Sequence, residues 1–183
     1  GRVVNASLIV RSLAVLGRFD EAIREGEQML AAAELLSSAV SMVQATFGLG
    51  EAYRERGDWV RAIGLLERSV AAAEDGGVGA MTAAAGSRLG AAYAHAGRLD
   101  EALKLLRASV GSRAPNTRSS AFACLLGEAC LLSGNLDEAR LQATTALEAA
   151  QALHQRGDEA AARWLLGLTT PSLVEAELFL SGA

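Results

Sequence analysis

Leu49-Gly50-Glu51-Ala52-Tyr53-Arg54-Glu55-Arg56-Gly57-Asp58-Trp59-Val60-Arg61-Ala62 is the stretch that decides the fold, because its second half returns three more times. The returns are Val15-Leu16-Gly17-Arg18-Phe19-Asp20-Glu21-Ala22, His95-Ala96-Gly97-Arg98-Leu99-Asp100-Glu101-Ala102 and Leu132-Ser133-Gly134-Asn135-Leu136-Asp137-Glu138-Ala139. Each glycine is followed by alanine five residues on, and the glycines at 17, 57, 97 and 134 are 40, 40 and 37 residues apart. A fixed period of this size marks a stack of like supersecondary units.

Each unit carries an apolar-periodic stretch on either side of its glycine, so the spacing predicts two helices and a tight turn. Leu49 and Tyr53 share a face of the leading helix, and Ala62, Leu66 and Ser69 follow i, i+4, i+7 along the second. The matching positions are Leu89, Tyr93, Ala102, Leu106 and Ser109 in the third unit and Leu126, Cys130, Ala139, Ala143 and Ala146 in the fourth. The first unit keeps Leu13, Phe19, Ala22 and Met29 but has Val10 where the later copies have glycine.

The turn glycines suit a left-handed backbone that ends the first helix. Asp20, Asp58, Asp100 and Asp137 are expected at or near the start of the second, where a carboxylate meets the helix's partial positive charge. Gly50, Gly90 and Gly127 fall inside helices at a propensity cost of about 1 kcal/mol each, which predicts close approach to Ala62, Ala102 and Ala139.

Composition agrees with helices packed on small residues: 51 % of the 183 residues are apolar and only 4 % aromatic. Pro115 and Pro171 fall where the helical pattern lapses, and period-two alternation of β-branched residues is absent. The expected fold is all-α, a right-handed α-solenoid of antiparallel helix hairpins with about four and a half repeats. They fall near 1–35, 36–75, 79–112 and 117–153, with a partial or capping repeat over 157–181. That last unit has Trp164, Leu166 and Gly167, breaks at Thr169-Thr170-Pro171, and offers Val174, Ala176, Leu178 and Phe179 for a short closing helix. A start at Gly1 and an end soon after a fifth repeat begins predict a piece of something larger.

Leu-Gly-x-x-Tyr, a turn glycine, then alanine, a large apolar and a small residue resembles the tetratricopeptide repeat (TPR). The pattern is carried by Leu49, Gly50, Tyr53, Gly57, Ala62, Leu66 and Ser69 and by the matching set from Leu89 to Ser109. The period is longer than the 34 residues of that repeat. Its closing proline is replaced by Glu74 and Ala114, and its first aromatic by Thr46, Gly86 or Ala123. Long segments at Ala71 to Gly79 and Val110 to Arg118 are expected to absorb the extra length.

The longer period, the alanine-rich helices and His154-Gln155-Arg156-Gly157-Asp158-Glu159-Ala160 leading into Trp164 are similar to the TPR arrays of large bacterial signalling proteins. These are MalT-like and other LuxR-type ATPase regulators and ATPase-linked nucleotide cyclases. The resemblance implies a cytoplasmic docking segment, with the chemistry elsewhere in the parent protein.

Function classes narrow further by exclusion. A net charge of -4 with no basic stripe lacks the footprint of a nucleic-acid binder. No apolar run reaches membrane-spanning length and no signal peptide is evident, so a soluble intracellular chain is expected. His95 and His154 have no metal-ligand spacing around them. Asp75-Gly76-Gly77-Val78-Gly79 lacks the Lys-Ser/Thr of a phosphate loop and reads as a flexible linker. Cys124 and Cys130 lie six residues apart, on different faces of one helix, and are expected as reduced, buried thiols. No catalytic residue, metal or cofactor is expected.

The TPR resemblance places the first helix of each hairpin along a groove. Carried over position by position, it implies a protein-binding surface of Arg11, Phe47, Glu51, Arg54, Arg88, His95, Cys124, Glu128, Leu131 and Trp164. The paired Lys and Asn with which heat-shock cochaperones clamp a C-terminal carboxylate are absent. The expected partner is a protein or peptide docking in this groove, with self-association as a second use of its small apolar residues. A small-molecule or peptide-signal sensor using the same groove is the alternative.

Overall fold

The computed structural model describes residues 2–36, 38–111, 119–170 and 179. Among the described residues there are nine helices and no strand: α1 (Arg2–Val15), α2 (Phe19–Leu36), α3 (Ala39–Arg56), α4 (Trp59–Asp75), α5 (Gly79–His95), α6 (Leu99–Gly111), α7 (Ser119–Leu132), α8 (Leu136–Ala152) and α9 (Arg156–Thr169). They fall into two compact units, Gly1–Ala96 and Gly97–Ala183. No helix among the described residues is long and apolar enough to cross a membrane.

The turn between α3 and α4 shows why the glycine recurs. Gly57 has φ +83°, its N–H donates to the Arg54 carbonyl at 3.0 Å, and the Asp58 N–H reaches back to the Tyr53 carbonyl at 2.9 Å. This closure satisfies the last carbonyls of α3 and turns the chain within three residues. Gly17, Gly97 and Gly134 share the conformation, at φ +75°, +80° and +79°.

The Asp75–Gly79 stretch is the same device. Gly77 has φ +64°, and the Val78 N–H donates to the Ala73 carbonyl at 2.9 Å, so the stretch is a helix-ending turn where a loose linker was expected. Helix α4 itself runs to Asp75, and longer helix takes up the extra period there. The 112–118 part of the second expected linker lies outside the described residues. At the α8–α9 turn His154 takes the left-handed conformation, φ +55°, with the Gln155 N–H on the Ala150 carbonyl at 2.8 Å.

The aspartates do not share one role. Asp58 caps α4, its Oδ1 accepting from the Arg61 N–H at 3.2 Å, and Asn135 caps α8 in the same way through Glu138. Arg18 and Arg98 occupy that position in the other hairpins, and each instead grips Glu21 or Glu101 through two N–H groups. Asp20, Asp100 and Asp137 lie two residues further along, in the first turn.

The second helices bury one repeated stripe. It is Ala22, Gly26, Met29 and Ala33 in α2, then Ala62, Leu66, Ser69 and Ala73 in α4. It continues as Ala102, Leu106 and Ser109 in α6 and Ala139, Ala143, Ala146 and Ala150 in α8. The i, i+4, i+7, i+11 spacing is one helical face.

The mid-helix glycines pack differently from the expected pairing. A Cβ at Gly50 would lie 2.9 Å from Leu66 Cγ, with Leu65 next, so the close partner sits one turn beyond Ala62. Ala62 packs instead with Leu49 and Tyr53. At Gly127 the expectation holds through the backbone, with the Ala139 carbonyl oxygen 3.2 Å from such a Cβ, and Leu165 Cδ2 of α9 lies nearer still at 2.6 Å. The first hairpin exchanges the two sizes: Val10 stands at the register of Gly50 and Gly26 at that of Leu66, with Leu49 filling the space beside Gly26.

The closing helix expected over Val174 to Phe179 lies outside the described residues save for Phe179, which packs against Ala143, Leu165 and Leu166.

Candidate functional site

In the Gly1–Ala96 unit, α1 lies beside α3 and α3 touches α5, so the first helices share a face. The 40-residue period places Arg11 and Glu51 at one register on α1 and α3, and Arg54 follows Glu51 by one helical turn. The outcome is a carboxylate surrounded by guanidinium groups.

Glu51 is 5 % exposed. Arg54 Nε donates to its Oε1 at 2.8 Å, and Arg88 Nε, from α5, lies 3.3 Å from its Oε2. Arg54 extends a second nitrogen, Nη2, to Glu55 Oε1. The Arg11 guanidinium carbon sits 5.3 Å from the centre of the Phe47 ring, a cation-π contact.

Burial alone would push the Glu51 carboxyl up, since an ion in an apolar surround loses its hydration. The charges of Arg88 and Arg54, the Arg54 hydrogen bond and the charge of Arg11 outweigh that and hold it below the usual carboxylate range. Glu51 is therefore ionised at neutral pH, and its two oxygens fix two guanidinium groups in place.

Five of the candidate residues, Arg11, Phe47, Glu51, Arg54 and Arg88, are thus brought together. His95, in the same unit, is separate from them: it is exposed and stacks on Trp59 with ring centres 4.6 Å apart and planes 7° from parallel. Trp59, at the start of α4, is half-buried, and its stacking on His95 carries no signature in the sequence pattern. A second contact missing from the sequence reading is Tyr93 Oη donating to Glu67 Oε1 at 2.7 Å.

In the Gly97–Ala183 unit the candidates are more dispersed in role. Cys124 is half-buried beside Ala123, Ala146 and Ala162, and its thiol is pushed up to about 12, by burial first and then by Asp158 and Glu128. Cys130 is buried, and burial raises it to about 11 with help from Glu138. Both are free thiols held in their protonated, unreactive form. Leu131 is half-buried and packs against Ala143, Leu165 and Leu166. Trp164 is 48 % exposed.

Nearby, Ser120 Oγ, fully buried, lies within hydrogen-bond distance of Gln155 Oε1 and Asp158 Oδ2, at 2.8 and 2.6 Å. Those bonds tie α7 to the start of α9. Among the described residues no three His, Cys, Asp or Glu are grouped to hold a metal ion.

Comparison with known proteins now bears on this geometry. A tetratricopeptide-repeat family profile matches residues 8–77, and a second matches 83–108 and 120–140. Among solved structures the chain is similar to a Podosopora anserina protein described as a kinesin light chain with nearly identical TPR-like repeats. The identity is 24 %, covering 99 % of this chain and 92 % of that one, with a TM-score of 0.71. It is also similar to the apo form of RapI, at 12 % identity over 98 % of this chain and 70 % of that one, TM-score 0.76. MamA of AMB-1 matches at 25 % identity over 97 % and 99 % of the two chains, TM-score 0.59. No curated protein matches the sequence. At such identities the kinesin light chain and RapI likenesses speak to fold alone. The resemblance to MalT-like, LuxR-type and cyclase arrays stays with the residues that suggested it.

Proposed function

Because the chain belongs to the tetratricopeptide-repeat family, we propose that it is a protein-protein interaction module that docks a peptide or partner domain on the face formed by its first helices. The observation that carries the reading is the Glu51 cluster. A carboxylate buried at 5 % exposure holds Arg54 and Arg88, and Arg11 is ordered over Phe47 beside it. Charged side chains held still lose little entropy on binding, which favours recognition over solvation as their role.

The reading assigns no turnover to the chain, and the tetratricopeptide fold is typically a non-catalytic scaffold. Its setting is the cytoplasm, as one segment of a larger bacterial regulatory protein. The roughly 40-residue period and the alanine-rich helices support that setting.

Site-specific photo-cross-linking tests the docking face. A benzoyl-phenylalanine at Arg11 or Arg54 should give a discrete protein adduct in cells. The same group at Val60 or Leu141, which are exposed on second helices, should give none. Adducts at Val60 and Leu141 with silence at Arg11 and Arg54 overturn the assignment.

A further inference from the structure

Helix α1 is apolar on two sides. Val10 and Ala14 are buried in the core with residues of α2 and α3, while Leu8, Ile9, Val15 and Leu16 are each more than half exposed. At about 100° per residue these four fall within an arc of about 120°, with Ser12 between them. A helix apolar all round belongs in an interior, and a repeat that ends a stack in water carries a polar outer face.

The later first helices show what this side is built to meet. Leu49, Leu89, Leu126 and Leu166 stand at the register of Ile9 and are 3, 5, 2 and 3 % exposed, against 55 % for Ile9. Each of their helices packs on the second helix before it: α3 on α2, α5 on α4, α7 on α6 and α9 on α8. Leu49 rests against α2 at Gly26, where an added Cβ would lie 2.7 Å from its Cδ1. Ser12 is exposed where Ala52, Ala92 and Ala129 are fully buried. The outer side of α1 is therefore one half of a joint between a first helix and a second.

The other half is written at the far end of the sequence. Leu173-Val174-Glu175-Ala176 follows the pattern of Leu99-Asp100-Glu101-Ala102, and Ala176, Leu180 and Ala183 keep the i, i+4, i+7 spacing of Ala102, Leu106 and Ser109. Ala176 follows Ala139 by 37 residues, as Ala139 follows Ala102. Charge agrees as well: residues 1–19 carry Arg2, Arg11 and Arg18 and no acidic residue, and residues 171–183 carry Glu175 and Glu177 and no basic one.

We propose that the outer side of α1 takes a second copy of this chain, whose residues 173–183 cover Leu8, Ile9 and Ser12, so that copies join head to tail. Such a contact leaves a free half at each end, and association is not limited to a dimer. Ile9 and Arg11 lie about 160° apart around α1, so the joint uses a different side of the helix from the docking face and does not rest on that reading.

Sedimentation velocity of the purified chain tests it. The weight-average mass should rise to about twice that of the monomer or more between about 5 and 500 μM. Ile9→Glu, at an exposed position, should hold the chain as a monomer, and so should Leu180→Glu. Ala183→Glu gives the same readout if Leu180→Glu fails to fold. Mixed in equal amounts, a chain blocked at Ile9 and a chain blocked at its tail keep one intact joint between them and should form a dimer that grows no further. Val60→Glu, exposed on α4, should change nothing.

A chain that stays monomeric over the whole range overturns the inference. Loss of association in Ile9→Glu with none in either tail variant overturns it in favour of two α1 helices packed on each other. A loss in Val60→Glu as large as that in Ile9→Glu overturns it as unspecific aggregation.

Discussion

The two units fill the same register positions with opposite chemistry. Where the first unit has Arg54 and Arg88, the period places Leu131 and Leu125 in the second. Leu125 is buried and Leu131 packs on Leu165 and Leu166, whereas the arginines close around a buried glutamate. Glu51 itself has Glu128 as its counterpart, half-buried where Glu51 is buried. The hairpin geometry thus dictates the small residues and leaves the first-helix face open to either a polar or an apolar solution.

A second contrast lies beneath that face. The gap beside Gly50 is filled from within its own hairpin by Leu66, which is fully buried. Beside Gly127 the residue at the Leu66 register is Ala143, too short to fill it, and Leu165 of the next helix supplies the volume. One void is closed locally and the other by a neighbour.

The largest expected effect breaks the borrowed packing. Leu165→Ala should lower unfolding free energy by about 3 to 4 kcal/mol, as a large-to-small change in a tight core does, measured by urea denaturation. Adding Gly127→Ala to that variant should recover part of the loss, because the methyl group that excludes a Cβ is gone. A double variant no better than the sum of the two singles contradicts the account.

Next comes the charged solution. Glu51→Gln should cost about 3 kcal/mol, the low end for breaking a buried ion pair because Arg54 and Arg88 keep some solvent. Glu128→Gln should cost less. The Glu51 carboxyl is depressed in the folded chain, so its stabilisation is complete above the unfolded value near 4.5 and is lost as pH falls through the lower folded value. Acid titration of stability should therefore be shallower below pH 4.5 in Glu51→Gln than in the parent chain. Parallel acid limbs contradict the assignment.

Gly50→Ala sharpens the local packing. The methyl group meets Leu66 Cγ at 2.9 Å, and the overpacking should exceed the gain in helix propensity by about 1 kcal/mol. The smallest effect has the opposite sign. His154 holds a left-handed backbone at the register where the α4–α5 turn has Gly77, and His154→Gly should raise stability by about 0.5 to 1 kcal/mol. A drop in thermal midpoint there would mean that the imidazole makes a compensating interaction.

The hairpin array was legible because its determinants are periodic. Turn glycines and the Ala22, Ala62, Ala102 and Ala139 series announce a helical face and a reversal without any knowledge of neighbours. The partner of Gly50 was not legible. Helix order does not fix the sliding of one helix along another, and a shift of one turn replaces Ala62 with Leu66. The aspartates were legible as charge near a helix start, and Asp20, Asp100 and Asp137 do lie in the first turn, but that Asp58 alone of the four also caps its helix was not. Arg18 and Arg98 hold the capping position, and they work through Glu21 and Glu101.

Of the candidate site, Arg11, Phe47, Glu51, Arg54 and Arg88 were named through the TPR resemblance, and their gathering around one buried carboxylate became visible only in the structure. The packing of half-buried Leu131 on Leu165 and Leu166 was not legible, because an apolar residue between two apolar faces of one helix can serve either.

The reach of Leu165 into the space beside Gly127 bears on how such a chain can be inherited. A repeat that closes the void beside its own mid-helix glycine, as the α3–α4 hairpin does beside Gly50, carries that filler with it when it is copied. The α7–α8 hairpin does not, because its missing volume is encoded downstream, in the helix that follows. Recombination that separates the two would deliver a hairpin with a hole in it, so the genetic unit at this end of the chain is longer than the repeat that defines it.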